Sequence, residues 1–169
     1  MSRTRIAREI TIHAPRHEVW KALSDFGHVS QLNPNIKRSY LTSLQESGVG
    51  TTRHCEMHAF GATIEEQVTG WEEDARLEVD AFGFYNLMSL KKMHECFQLQ
   101  DNDEGTVLRG TLEYEVSEDV GSIMNLLIID RTNIKSWNEL LAGTKKFVES
   151  HEPVDRKSPL HTEEIRTVL

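Results

Sequence analysis

The chain has 169 residues, of which 38% are hydrophobic and 27% are charged, so it can bury the core of one domain. Its net charge of −8 argues against nonspecific binding to nucleic acid or to an anionic membrane surface, since both need a basic face. The N-terminal residues lack the apolar core of a signal peptide, and the longest aliphatic run, Leu126 to Ile129, is too short to span a bilayer. Two cysteines, Cys55 and Cys96, favour free thiols in a reducing cytoplasm over a disulfide framework.

The first predicted element is a strand over 6–12, where isoleucines alternate with polar residues. Pro15 can open a short helix, and a second short helix is predicted over 25–35. Extended segments are then predicted in succession over 36–44, 51–59, 62–71, 76–82, 88–100 and 106–117. The chain therefore has the order strand, two short helices, several strands and one long helix.

The long helix is predicted over 118–149, with Ser117-Glu118-Asp119 as its capping segment. Apolar residues at alternating steps of four and three form one stripe along it: Ile123, Leu127, Ile134, Trp137, Leu141 and Val148. Asp130 and Thr144 interrupt this stripe. Because a carboxylate facing a dry core is costly, either Asp130 faces a wet or ligand-filled cavity, or the first half of the helix turns it to solvent. The following residues, 151–169, are predicted to be a tail with one short helical turn over 162–169.

The chain carries a series of short motifs in this order: Ala14-Pro15, Val19-Trp20, Asp25-Phe26, Gly48-Val49-Gly50-Thr51, Glu66-Gln67-Val68-Thr69-Gly70-Trp71 and Leu141-Ala142-Gly143-Thr144. Together they resemble the START-like (SRPBCC) superfamily, and within it the polyketide cyclase/dehydrase-like branch. Each motif is loose by itself, and their common order over residues 4–150 is the specific part of the resemblance. One departure is Leu32, where many members carry a tryptophan.

The resemblance implies the helix-grip (START-like) fold of class α+β. In that fold a curved antiparallel sheet of about seven strands wraps around a long C-terminal helix, with two short helices after the first strand. It also implies a ligand-binding domain over 1–150 and a C-terminal tail over 151–169. Proteins of this kind usually enclose a cavity between sheet and helix for lipids, hormones or polyketide-like molecules. Some members are enzymes and others are carriers or sensors, so the fold does not decide the function.

Strand alternation predicts which side chains face such a cavity. Arg53 shares an inward face with Cys55, and a two-residue hairpin loop at Phe60-Gly61 would pair Cys55 with Glu66 and place Arg53 diagonal to Glu66. The complete set of predicted ligand-binding residues is Arg53, Cys55, Met57, Glu66, Val68, Phe84, Tyr85, Met93, Glu95, Phe97, Leu112, Tyr114, Leu127, Asp130 and Ile134. The alternative is that bulges shift the register and push the charged members outward.

The segment 82–88 is unusually apolar for a turn between strands. It is predicted either to gate the mouth of the cavity, with Gly83 as a hinge, or to pack against the long helix as permanent core. The eight histidines invite a metal hypothesis, but His54 and His58 lie roughly 13 Å apart on a strand and cannot share one ion. Neither a metal site nor a cofactor is expected, and neither cysteine has an identifiable activating partner.

Three hypotheses for the function follow from these residues. The first is a cytoplasmic protein that binds a hydrophobic or amphipathic small molecule, lipid- or polyketide-like. The second is a polyketide cyclase or dehydratase in which Glu66 or Glu95 is the general base and Arg53 stabilises an enolate. The third is a regulatory module that binds a protein partner through its loop and tail. A homodimer is compatible with each of them, whereas nucleic acid and an integral membrane segment are not expected.

Overall fold

A computed structural model describes residues 2–87, 90–117 and 123–168 of the protein. One antiparallel sheet has the strand order β2-β3-β4-β5-β6-β7-β1-β8. The strands are β1 (Ser2–Ile12), β2 (Ile36–Leu41), β3 (Thr52–Met57), β4 (Thr63–Glu72), β5 (Arg76–Tyr85), β6 (Leu90–Asn102), β7 (Gly105–Val116) and β8 (Arg166–Thr167). The helices are α1 (Arg16–Ser24), a 3-10 helix (Phe26–Gln31), α2 (Ile123–Ser150) and a 3-10 turn (Thr162–Glu164).

The core lies between one face of the sheet and α2. In β1 the alternating residues Ile6, Ile10 and Ile12 are buried, as the period of a half-buried strand requires. Trp137 and Leu141 are buried on the facing side of α2. The architecture agrees with the helix-grip arrangement implied by the sequence. No helix in the part of the chain that the structure describes is long and apolar enough to cross a membrane.

Helix α2 approaches the 3-10 helix very closely at Gly143. A Cβ atom at this position would lie 2.0 Å from the backbone oxygen of Leu32, so only glycine fits the contact. The neighbouring Thr144 interrupts the apolar stripe without leaving a buried polar group unpaired, because its hydroxyl donates a 2.8 Å hydrogen bond to the Leu140 carbonyl. The predicted capping segment of α2 at Glu118 and Asp119 lies outside the described residues.

The register predicted for the β3–β4 hairpin is wrong by two residues. Cys55 pairs with Ile64, and Arg53 lies directly opposite Glu66 instead of diagonal to it. The reason is a longer turn: the Met57 N–H donates to the Ala62 carbonyl at 2.8 Å, so four residues form the loop instead of two. Because a shift of two residues preserves the alternation of faces, the side chains predicted to point inward still do so.

The C-terminal segment folds back onto the domain. Val154 is buried, and its N–H donates to the Gln31 carbonyl at 2.9 Å. Strand β8 pairs with Arg8 and Glu9 of β1, which makes the sheet one strand larger than predicted. The expected helical turn over 162–169 is only a short 3-10 turn, Thr162–Glu164.

Candidate functional site

A cavity of about 310 Å³ lies between the inner face of the sheet and α2. Its volume is at the lower end of the range of small-molecule sites, roughly 300–1,000 Å³. Apolar side chains from five strands and from α2 form much of its wall: Ile36, Met57, Ile64, Leu90, Met93, Leu112, Trp137 and Leu140. Polar side chains complete it: Asn33, Asn35, His58, Glu95, Thr132, Asn133, Ser136 and Arg156. The cavity is thus apolar with a few polar groups, the usual composition of a ligand site.

Trp137 forms part of the α2 side of the cavity, and strand β7 holds its ring. The indole N–H donates to the Gly110 carbonyl at 3.3 Å, and the ring lies 5.3 Å from that of Phe97. A Cβ atom on residue 110 would come within 2.8 Å of the indole, so Gly110 makes this close approach possible. The tryptophan therefore has a fixed orientation in the wall.

Glu95 is the buried carboxyl group of the cavity wall. Its side chain extends from β6, where residue 95 is only 7% exposed, and its Oε2 atom has no hydrogen-bond partner in the described part of the chain. Burial, together with the negative charge of Glu66, raises the pKa of Glu95 from 4.5 to about 8, although Arg53 opposes this shift. The group is therefore a largely neutral acid near pH 7 and can donate a hydrogen bond.

Arg53 and Glu66 form a buried ion pair next to this wall, with Nε and Oε2 2.5 Å apart. The guanidinium also donates to the Phe26 carbonyl at 3.2 Å and lies 4.0 Å from the centroid of the Phe26 ring. The Cys55 thiol donates to Glu66 at 3.5 Å, and burial followed by the charge of Glu66 raises the pKa of this thiol. Cys55 therefore stays protonated and is unsuited to nucleophilic chemistry.

Asp130 is half-buried, and its carboxylate accepts hydrogen bonds from side chains on two strands, β7 and β1. The Tyr114 hydroxyl donates to Oδ1, and the Thr4 hydroxyl donates to the same atom at 3.4 Å. Burial and the bond to Asp130 raise the pKa of Tyr114 to about 12, so the phenol stays protonated. The interruption of the apolar stripe is therefore explained by a polar contact that links α2 to β1 and β7.

Two residues expected to face the cavity point elsewhere. Leu127 is 49% exposed, because a helix of 3.6 residues per turn drifts from the alternating four-three pattern and buries Ile129 in this turn. Tyr85 is 64% exposed. A bulge at Phe82 reverses the alternation of β5, after which Phe84 pairs with Ile64 and Tyr85 must lie on the opposite face.

Four predicted ligand-binding residues border the cavity: Met57, Met93, Glu95 and Leu112. Others are buried in the core beside it: Arg53, Cys55, Glu66, Val68, Phe97 and Tyr114. Ile134, Phe84 and Asp130 are half-buried. Strand alternation did not find the contributions of the connection at 33–35, of the polar residues of α2 or of the tail. Among these residues, only Asn133 could have been predicted to face the cavity, because it lies beside the apolar stripe of the long helix in the sequence.

The predicted gate segment is largely strand, since β5 continues to Tyr85. Leu87 borders the cavity, whereas Met88 lies outside the described residues. The Asn86 side chain donates to the Phe60 carbonyl at 3.2 Å and so links this segment to the β3–β4 turn. Whether the segment opens stays a prediction.

The described part of the chain offers one cluster of side chains that could serve as metal ligands. The group with the right geometry is His161, Glu163 and Glu164, whose ligand atoms lie within 4.8 Å of one another in the exposed tail. Glu164 already contacts Lys145 at 3.3 Å. Exposed acidic groups of this kind are common without an ion, so no metal site is inferred.

An antiparallel sheet that holds a long helix over a small cavity defines a helix-grip protein of the START-like (SRPBCC) superfamily. The chain belongs to the family described as Polyketide cyclase / dehydrase and lipid transport, whose model matches residues 3–145. The crystal structure of Ara h 8.0201 is similar in fold, with a TM-score of 0.71 and 15% sequence identity over 88% of this chain and 99% of that one. A search of curated proteins finds no match.

Proposed function

We propose that the protein binds a hydrophobic or amphipathic small molecule, lipid- or polyketide-like, in the cavity between the sheet and α2. The observation that carries this proposal is the buried Glu95 carboxyl, which has an oxygen without a hydrogen-bond partner in an apolar wall. Buried polar atoms are almost always paired, so such an atom is best explained by a partner that occupies the cavity. Membership of a family whose description includes lipid transport supports the same function.

The protonation of Glu95 defines the polar group of that ligand. With a pKa of about 8 the carboxyl is mostly neutral at pH 7 and offers an O–H donor. A ligand carbonyl or hydroxyl oxygen would accept this bond, while Met57, Met93 and Leu112 contact its apolar part. A ligand with an apolar body and an internal oxygen matches this wall.

Titration with Nile red, a neutral environment-sensitive dye, tests the proposal. We expect saturable fluorescence that added apolar compounds reduce. Met93→Trp fills the cavity and should weaken dye binding about tenfold or more, since the site is small. Lys92→Trp is the matched control, because it places the same indole on the next, exposed residue of β6. Equal binding by both variants, or no saturable site in the folded wild-type protein, would refute the proposal.

A second candidate is a cyclase or dehydratase activity with Glu95 as the acid–base group. A carboxyl pKa of about 8 is close to the working pH and suits proton transfer. Arg53 and Glu66 are less suited to the role, because they neutralise each other outside the cavity wall. A soluble β-diketone in D2O supplies the test, with exchange at its central carbon followed by NMR. A catalyst should lose about 100-fold or more in rate on Glu95→Gln while Nile red binding persists.

Two further properties belong to the same proposal. A reducing, cytoplasmic location agrees with Cys55 and Cys96, which are both buried free thiols. A homodimer is compatible with ligand binding, and sedimentation velocity measures it directly. A monomer at micromolar concentration would exclude the dimer and leave the ligand site unaffected.

A further inference from the structure

The C-terminal tail, which follows the residues matched by the family model, contributes to the cavity. The family match ends at residue 145, whereas the described chain continues to residue 168. The tail is held at two places, by the buried Val154 and by the pairing of β8 with β1. Between these anchors lies Arg156, which borders the cavity. The fold therefore places a side chain from outside the family domain at the ligand site.

Arg156 is a permanent cation without an ionic partner in the described part of the chain. Its side chain is exposed, which places it at the rim of the cavity and not in its interior. Glu95 is the one carboxyl group among the described residues of the wall, and its raised pKa keeps it mostly neutral. Arg156 is therefore the one permanently charged side chain among the described residues that border the cavity. A cation in this position favours an anionic ligand group.

The acids closest to Arg156 in the chain or on the adjoining surface already have partners. Asp155 accepts the Lys157 N–H at 2.8 Å and the Ser158 hydroxyl at 3.1 Å, which closes its own turn. Glu139 accepts the Asn35 side-chain amide at 2.9 Å and lies 3.7 Å from Lys135. Neither carboxylate depends on Arg156, so the guanidinium is available to a ligand.

A second donor at the cavity has an N–H to spare. The Asn133 side chain on α2 lies next to the Tyr114 hydroxyl, and this contact uses at most one of the two N–H groups of its buried amide. Asn133 borders the same cavity as Arg156. An amide N–H and a guanidinium on one cavity are the donors that a carboxylate accepts well. A neutral hydroxyl would satisfy the amide but would leave the charge of Arg156 without a counterion.

We propose that Arg156 selects ligands whose polar end is a carboxylate, so that the tail determines the class of molecule bound. The inference rests on the proposed function and makes it specific: the ligand is an apolar carboxylic acid with its ionised end at the rim. The apolar part then lies against Met93 and Leu112, near the buried Glu95. Arg156 is a specificity-determining residue in this arrangement and takes no part in chemistry.

Decanoic acid and 1-decanol test the inference, because they differ only at the polar end. Each is titrated against the 169-residue chain loaded with Nile red, at low ionic strength and pH 7. We expect decanoate to displace the dye at about five- to tenfold lower concentration than decanol. Arg156→Gln should remove that preference and leave the affinity for decanol unchanged. Lys157→Gln is the matched control, since it removes an exposed cation from the next residue, which does not border the cavity.

The outcomes separate this inference from the proposed function. If both compounds displace Nile red equally well and Arg156→Gln changes neither, the cavity binds ligands but Arg156 does not select them, and the inference is overturned. Equal losses of decanoate affinity in Arg156→Gln and Lys157→Gln would also overturn it, because net charge alone would then explain the preference. If neither compound nor the dye binds, the proposed function itself fails.

Discussion

Breaking the ion pair of Arg53 and Glu66 is the sharpest test of how the site is built. Their side chains are 6% and 5% exposed, so removal of either partner leaves a charge where water cannot solvate it. We expect Arg53→Met to lower the free energy of unfolding by about 3–5 kcal/mol, since it also removes the contacts with the Phe26 carbonyl and ring. Glu66→Gln keeps an acceptor for Arg53 and should cost less, about 1–3 kcal/mol.

The double variant Arg53→Met/Glu66→Gln separates the pairwise term from the cost of each change. Removal of both charges leaves no buried ion, so the double variant should be more stable than the sum of the single losses predicts, by about 2 kcal/mol or more. Urea unfolding followed by tryptophan fluorescence measures all four proteins, and the buried Trp20 and Trp137 report on the core.

The exposed pair of Arg38 and Glu56 on β2 and β3 is the matched control. Its Nη2 and Oε1 atoms are 2.8 Å apart, but the side chains are 63% and 30% exposed. Because water already solvates both groups, we expect a coupling of only about 0–1 kcal/mol. Single losses below about 0.5 kcal/mol at Arg53 and Glu66, or a coupling no larger than that of the control, would refute the reasoning.

Three further predictions concern other parts of the molecule. The folded-state pKa of Glu95 is raised from 4.5 to about 8, so as the pH rises the unfolded chain loses this proton before the folded protein does. The free energy of unfolding should therefore fall between pH 4.5 and about 8, by at most about 1.4 kcal/mol per pH unit. Glu95→Gln should flatten this decline when unfolding is measured across that pH range, and an unchanged slope would contradict the raised pKa. Because residues 83–85 pair with β4, we expect their amides to exchange slowly without ligand. Phe84→Ser should lower the free energy of unfolding by about 1–3 kcal/mol. Fast exchange together with a small loss of stability would instead favour a gate. Gly143→Ala should lower stability by about 2 kcal/mol or more, because its Cβ would meet the Leu32 oxygen at 2.0 Å, and a neutral effect would show that α2 can move away.

The features that were predictable from the sequence are those that repeat along the chain. The alternation of Cys55 with polar neighbours placed Arg53 and Glu66 on the inner face although the hairpin register was wrong. The error was harmless because the true turn is longer by two residues, which preserves the faces. A register error of one residue would have moved every side chain of the strand to the opposite face. Tyr85 was expected in a turn that closes over the cavity, whereas β5 continues to Tyr85 and the bulge at Phe82 sets which face its side chain takes.

The cavity-lining residues that were not predicted come from segments that have no periodic pattern of hydrophobic residues. Asn33 and Asn35 lie in a connection, where no alternation indicates which side chains point to the cavity. The tail is held by Val154 and by pairs of backbone groups, and backbone hydrogen bonds leave almost no trace in a sequence. For this reason Arg156 could not be placed before the fold was known. The predicted orientation of Leu127 was wrong because the helix turns slightly away from the four-three pattern at each heptad, and this drift accumulates along α2.

The short strand β8 also affects how the folded protein meets other chains. Strand β1 has 11 residues, and on the side away from β7 its backbone pairs with β8 and with the Val168 N–H at Ala7, Arg8 and Glu9. If a protease cut the tail, these backbone groups of β1 would lose their partners, whereas the Thr11 carbonyl would keep its bond from Lys145. Bare edges of this kind recruit strands from other molecules and lead to aggregation. The same segment that borders the cavity therefore shields the protein from self-association, and nicking within 151–168 should shorten its lifetime in solution.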